Sequence, residues 1–258
     1  MSTAEHGSLE LSAGTQPSLS FLAGTCESQC LEGPKHVGIP KGETVTIAGV
    51  PTYVSKASAG HILDRVVFFF SDALGPFFIN NQLLQDYFAS QGYHVFGLDY
   101  FFGDPVQKTR GQPDFNQTVR IEKSYQQADA SVPGWIQEVK KGYGPNTKYN
   151  AVGYCFGGRY ALTAGSTDDV VSAAFAHPAF LTEDHFEKLT KMDDTFSADS
   201  RRRAEDILSA KSAKYHVQVF SGVAHGFATR SDPNNPHAGW AREQSAKSIV
   251  EWFNRFSK

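Results

Sequence analysis

The chain has 258 residues, of which 40% are hydrophobic and 20% charged, enough apolar material for one packed core and too much for a disordered segment. Its net charge of -3 leaves no basic excess, which argues against a nucleic-acid or anionic-membrane partner. The three cysteines are an odd number and no apolar leader or membrane-length apolar run occurs, so a disulfide framework is excluded and a cytoplasmic protein without a membrane partner is expected.

Residues 1–30 are rich in Ser, Gly and Thr and read as a flexible N-terminal arm; residues 31–258 read as a single domain. Leu31 to Gly42 is a lead-in loop, and Thr44 to Val54 alternates around Ala48-Gly49 as a β-hairpin does. Arg65 to Phe70 is a short continuous apolar run, the signature of a strand buried on both faces of a parallel sheet. A helix over Asn81 to Gln91 follows, with Leu83, Leu84, Tyr87 and Phe88 at helical spacing, and His94 to Leu98 is the next strand. Strand, helix and strand at short spacing make a βαβ unit. Arg120 to Lys141 reads as a helix broken at Pro133-Gly134. Then come a strand at Tyr149 to Val152, a sharp turn at Gly153 to Gly158, a helix from Arg159 and a weak strand at Ala173 to Ala176. A helix at Ser200 to Ala210, a strand at His216 to Phe220 and a helix at Glu243 to Phe256 complete the chain. The pattern predicts a single-domain α/β fold, a mostly parallel central sheet flanked by helices on both faces.

Gly153-Tyr154-Cys155-Phe156-Gly157-Gly158 fits the Gly-x-nucleophile-x-Gly elbow with Cys in the nucleophile position. A nucleophile thrust up between strand and helix takes strained backbone angles, and its neighbours must lack bulk; Gly153 and Gly157 meet that need. The helix N-terminus behind Cys155 is expected to favour thiolate, and the amide N–H of Phe156 to serve as one oxyanion donor. The alternative is a Gly-rich turn holding a structural Cys; the preceding apolar strand and the following helix favour catalysis.

A thiol nucleophile needs a base, and of nine histidines His225 stands out, on a loop after the strand His216 to Phe220. Alone it would read as a solvated loop residue. His177 reads as structural or pocket-lining. The acid that orients the base should fall between Cys155 and His225, and Asp193 or Asp194, in a loop before the Ser200 helix, are the candidates. The spacing Cys26-x3-Cys30 lacks two further ligands, so no metal site is expected there.

With these residues the chain resembles the dienelactone hydrolase family, closest to its fungal, cytosolic branch, from about Cys30 to Phe256. The resembling stretches are Gly49 to Ser55, Ser71 to Gly75, Gly92 to Asp99, Gly153 to Gly158, Ala176 to Pro178, Arg201 to Glu205 and Ser221 to Ala228. The resemblance implies an α/β-hydrolase fold and cleavage of a small-molecule lactone or ester by a Cys-His-Asp triad without a cofactor, in a catabolic or a biosynthetic setting. It implies Cys155 as nucleophile, His225 as proton shuttle, Asp193 as the orienting acid and the backbone N–H of Ala73 as second oxyanion donor. Asp72 falls where bacterial members carry a Glu beside the resting thiol, and Arg230, one residue later than its bacterial counterpart, is implied to meet a substrate carboxylate. The chain departs from the pattern where His185 to Met192 runs into Asp193 with no apolar strand before it, roughly ten residues short of usual strand and loop lengths.

Three functions fit the sequence: a thiol esterase or lactonase; another elbow-cysteine enzyme such as a glutamine amidotransferase, disfavoured because Gly226-Phe227 follow His225; and a non-catalytic binding relative, suggested by the shortened acid segment. A homodimer is compatible with all three.

Overall fold

The computed structural model describes residues 33–58, 64–182, 185–186, 191–194 and 198–258, the stretch 191–194 by its backbone alone. The arm expected over residues 1–30, with Cys26 and Cys30, lies outside the described residues.

Strands β1 (Glu43–Ile47) and β2 (Val50–Ser55) form the antiparallel hairpin that the alternation predicts. Ala48 and Gly49 both take positive φ, 49° and 78°, as a two-residue turn matched to strand twist requires. After β3 (Arg65–Phe70) the chain runs through α1 (Ile79–Ser90), β4 (His94–Leu98), α2 (Gln117–Tyr143), β5 (Lys148–Tyr154), α3 (Gly158–Gly165) and β6 (Ser172–Ala176). These six strands form one sheet in the order β1-β2-β4-β3-β5-β6, with β3, β4, β5 and β6 parallel. Beside β6 stands β7 (Lys191–Asp194), paired in parallel with β8 (Lys214–Val217). Helix α4 (Ala198–Ala210) joins β7 to β8, and α5 (Phe227–Arg230) and α6 (Pro236–Phe256) close the chain.

The apolar run of β3 is explained by burial on both faces. Val66, Phe68 and Phe70 face α2 and α3, where Trp135, Ile136 and Tyr160 cover them. Val67 and Phe69 face α1 and α6, against Phe88, Ile249 and Phe253. The period of two splits consecutive phenylalanines between two cores, giving three layers with the sheet in the middle. No helix among the described residues is long and apolar enough to cross a membrane.

Four expectations are corrected. Helix α2 runs unbroken through Pro133: the ring sits on the solvent face, where water can bond the carbonyl that loses its N–H partner. Helix α6 starts at Pro236, not Glu243, because the Asn235 side chain accepts the Ala238 N–H at 3.1 Å and Pro236 fits the first turn. Strand β8 ends at Val217, so its overlap with the expected strand is His216 and Val217. Asp193 and Asp194 lie within strand β7 and not in a loop; the strand missing before the acid is built from the residues Lys191–Asp194 themselves.

Candidate active site

Strand β5 delivers Cys155 into a 3₁₀ turn, Cys155–Gly157, that leads directly into α3. Cys155 has φ +49°, a conformation that costs a non-glycine residue free energy and is held by what surrounds it. The glycines show why the motif is needed. A Cβ on Gly157 would run into the Phe70 carbonyl at the end of β3, and one on Gly153 into the Gly157 carbonyl. The far side of the turn is fixed by the Ala179 N–H, which donates to the Cys155 carbonyl at 3.1 Å.

The thiol is fully buried. The backbone N–H groups of Phe156 and Ala73 both hydrogen-bond toward its sulfur, so the two predicted oxyanion donors converge on one point. Ala73 is free to do this because the turn after β3 is satisfied otherwise: Gly75 N–H donates to the Asp72 carbonyl and Leu74 N–H to the Asp72 carboxylate. Burial pushes the Cys155 thiol up to about 12; Asp72 adds to the rise, while Arg230 and the two amides oppose it. Desolvation thus works against the thiolate that the helix N-terminus is expected to favour.

Asp72 and Arg230 form a buried ion pair. The Asp72 carboxylate also accepts from the Asn81 amide at 2.9 Å and the Thr229 hydroxyl at 2.9 Å. Arg230 is walled on two sides by glycines: a Cβ on Gly33 or on Gly226 would strike its side chain. The expected substrate-binding Arg230 is thus engaged by Asp72.

His225 is half-buried in the turn before α5. Burial lowers its pKa to about 4, with Arg230 lowering it further and Asp72 opposing, so the imidazole is neutral near neutral pH. Its ring meets that of His177 edge to face at 5.0 Å, and His177 in turn lies 5.8 Å from the Tyr154 ring, next to Cys155. His177 is buried, has φ +39°, and is kept neutral by burial and by its neighbours His225 and Arg230. Asp193 and Asp194 pair with His216 and Val217 of β8. The two parallel strands therefore end on the same side, from which the chain continues toward His225.

Next to the thiol a narrow recess of ≈ 30 Å³ is lined by Ala73, Phe101, Phe115, Ile121, Phe156 and Phe180 among others. Its walls are apolar except for residues such as Arg120, Gln117 and Ser124 from α2. Arg120 is held by Asp104 at 2.5 Å. One turn on, the Tyr125 ring stacks on Phe156 at 4.6 Å, and its buried hydroxyl has no hydrogen-bond partner among the described residues. Sequence reading missed Arg120 and Tyr125 because a helix face pointing at a site has the same periodicity as one pointing at a core.

Comparison with known proteins bears on this arrangement. The sequence model of the dienelactone hydrolase family matches residues 51–257. Dienlactone hydrolase 1 of Gibberella moniliformis is 35% identical over 90% of this chain and 95% of its own length. Dienlactone hydrolase 2 of the same fungus is 34% identical over 91% of this chain and 97% of its own. Among solved structures, a putative dienelactone hydrolase from Klebsiella pneumoniae superposes with TM-score 0.66 over 84% of this chain and 99% of that one, at 14% identity, a likeness of fold.

Proposed function

Since the chain belongs to the dienelactone hydrolase family and is a hydrolase, we propose that it cleaves lactone or small ester bonds through Cys155, His225 and Asp193. The observation that carries this reading is the convergence of the Ala73 and Phe156 amides on the sulfur of a strained elbow. On attack by that sulfur the carbonyl oxygen forms beside it, and the two N–H groups exchange the sulfur for the oxyanion as acceptor.

The thiol starts protonated and the imidazole neutral. As the sulfur bonds to the carbonyl carbon, His225 takes its proton and the carbonyl oxygen, now an anion, receives the two N–H groups. Collapse breaks the ester C–O bond and His225 returns the proton to the departing oxygen, which in a lactone stays tethered to the acyl chain. Water then attacks the thioester, losing a proton to His225, and the acid leaves as the thiol is restored. Asp193 orients His225 and stabilises its charged form. Arg230 and Asp72 act on the sulfur with opposite signs, so the pair tunes how costly a developing thiolate is.

Arg120 is the cation that lines the recess, and we assign it the recognition of a carboxylate on the substrate. The phenylalanines around it suit a planar, unsaturated or short apolar acyl group.

The test is hydrolysis of a dienelactone and of p-nitrophenyl acetate by wild type and by Cys155→Ala, with mass spectrometry of acidified reaction mixtures. Turnover lost in the variant, and an acyl adduct on the Cys155 peptide of wild type, are expected. Undiminished turnover in Cys155→Ala, or acylation at another residue, would overturn the assignment.

A further inference from the structure

Thr229, whose hydroxyl bonds Asp72, also lines a second hollow, of ≈ 490 Å³, the size range of pockets that hold small organic ligands. It lies between the lead-in segment 33–42, α1, the start of α5 and α6. Its apolar surface comes from Leu83, Leu84, Tyr87, Ala228 and Ala246. At its lip Val37, part of the same lining, is an apolar side chain fully exposed at 102%.

The walls are held in place by hydrogen bonds. The Asn80 amide donates to the carbonyls of Pro34 and Thr229, both at 3.0 Å, and its oxygen accepts the His36 N–H at 2.8 Å. A Cβ on Gly38 would strike Leu83, so the lead-in segment sits flat on α1. The hollow is therefore built from fixed elements rather than left between loosely packed ones.

Its charge is unbalanced. Arg242 and Lys247 of α6 both line it. Glu243 approaches Arg242 only to 3.8 Å on the exposed rim, and Lys247 has no ion-pair partner among the described residues. His36, whose ring lies 3.0 Å from the Arg242 guanidinium, is kept neutral mainly by burial and adds no charge. Two cations against one carboxylate, over an apolar floor, select an anion with an apolar body.

We propose that this hollow is a binding site for a small organic monoanion, an aryl or alkyl carboxylate, separate from the site at Cys155. The carboxylate meets Arg242 and Lys247, and the apolar body lies on Leu83, Leu84 and Ala246 and covers Val37.

The probe is 4-phenylbutyrate, titrated into the full chain by calorimetry and located by intermolecular NOEs to labelled methyl groups. Saturable binding is expected, with NOEs to Leu83, Leu84 and Val37. Both 4-phenylbutyramide and the Arg242→Gln/Lys247→Gln variant should weaken it about tenfold or more, the loss expected for charge-assisted hydrogen bonds. The variant's unchanged melting temperature and unchanged ester hydrolysis would show that it folds. NOEs confined to Ile121 and Val106 of the recess at Cys155, equal binding of the amide, or no saturation would each overturn the proposal.

Discussion

The carboxylate of Asp72 and the guanidinium of Arg230 meet with 0% and 1% of their side chains exposed, within electrostatic reach of both Cys155 and His225. A buried pair contributes little net stability, but removing one partner strands the other charge, at about 3–5 kcal/mol. Asp72→Asn should therefore lower the melting temperature substantially. It should also ease ionisation of Cys155, because Asp72 raises the thiol pKa while Arg230 lowers it. Faster alkylation by iodoacetamide at a fixed pH in the folded variant checks the sign.

In wild type the buried thiol, at about 12, predicts slow alkylation at neutral pH, with a rate that climbs about tenfold per pH unit as the thiolate fraction grows. A rate already saturated at neutral pH would mean that the helix N-terminus outweighs desolvation after all.

The two histidines make stability pH-dependent. His225 stays neutral in the folded protein down to about pH 4, whereas in the unfolded chain it takes up a proton near 6.5. Its pKa is depressed on folding, so stability is full above 6.5 and is lost as pH falls from there through 4. His177, lowered as well, adds to the same trend. Melting temperatures from pH 7 down to pH 5 should decline in wild type and decline less in His225→Gln.

Asp193→Asn and Asp194→Asn separate the candidate acids. The expected result is a ~10³–10⁴-fold loss of kcat for Asp193→Asn, the scale for removing a triad acid, with Asp194→Asn close to wild type. The reverse pattern would move the role to Asp194.

Arg120→Ala should reduce kcat/KM for a lactone bearing a carboxylate by ~10–100-fold, as loss of a charge-assisted contact does, and leave p-nitrophenyl acetate hydrolysis within about threefold. Equal loss on both esters would make Arg120 a support of the recess through Asp104 rather than a recognition residue.

The elbow was legible because its chemistry is local: Gly153, Cys155 and Gly157 are close in sequence, and each glycine is required by a backbone approach that any side chain would block. The buried strands were legible for the same reason, the β3 run being buried on both faces. The contacts of Arg230 were not. Its partner Asp72 lies far away in sequence, and the meeting depends on how α5 packs against the turn after β3. Strand β7 was missed because Lys191–Asp194 carries no strand signature; it is a strand through its pairing with β8. Arg120 lay inside a correctly placed helix, but which of its faces meets the thiol is set by tertiary packing.

The position of Gly33 against Arg230 has a consequence for how the chain can be shortened. The family match begins at residue 51, yet Gly33, upstream of it, packs on the aliphatic stem of Arg230, and His36 is tied to the Ser231 carbonyl next along the chain. A version trimmed to the matched segment would keep every residue of the proposed triad and lose β1, the antiparallel partner of β2, together with the packing on the Arg230 stem. The family model starts at residue 51, but the Gibberella relatives align over 90% and 91% of the chain and so reach into this upstream segment.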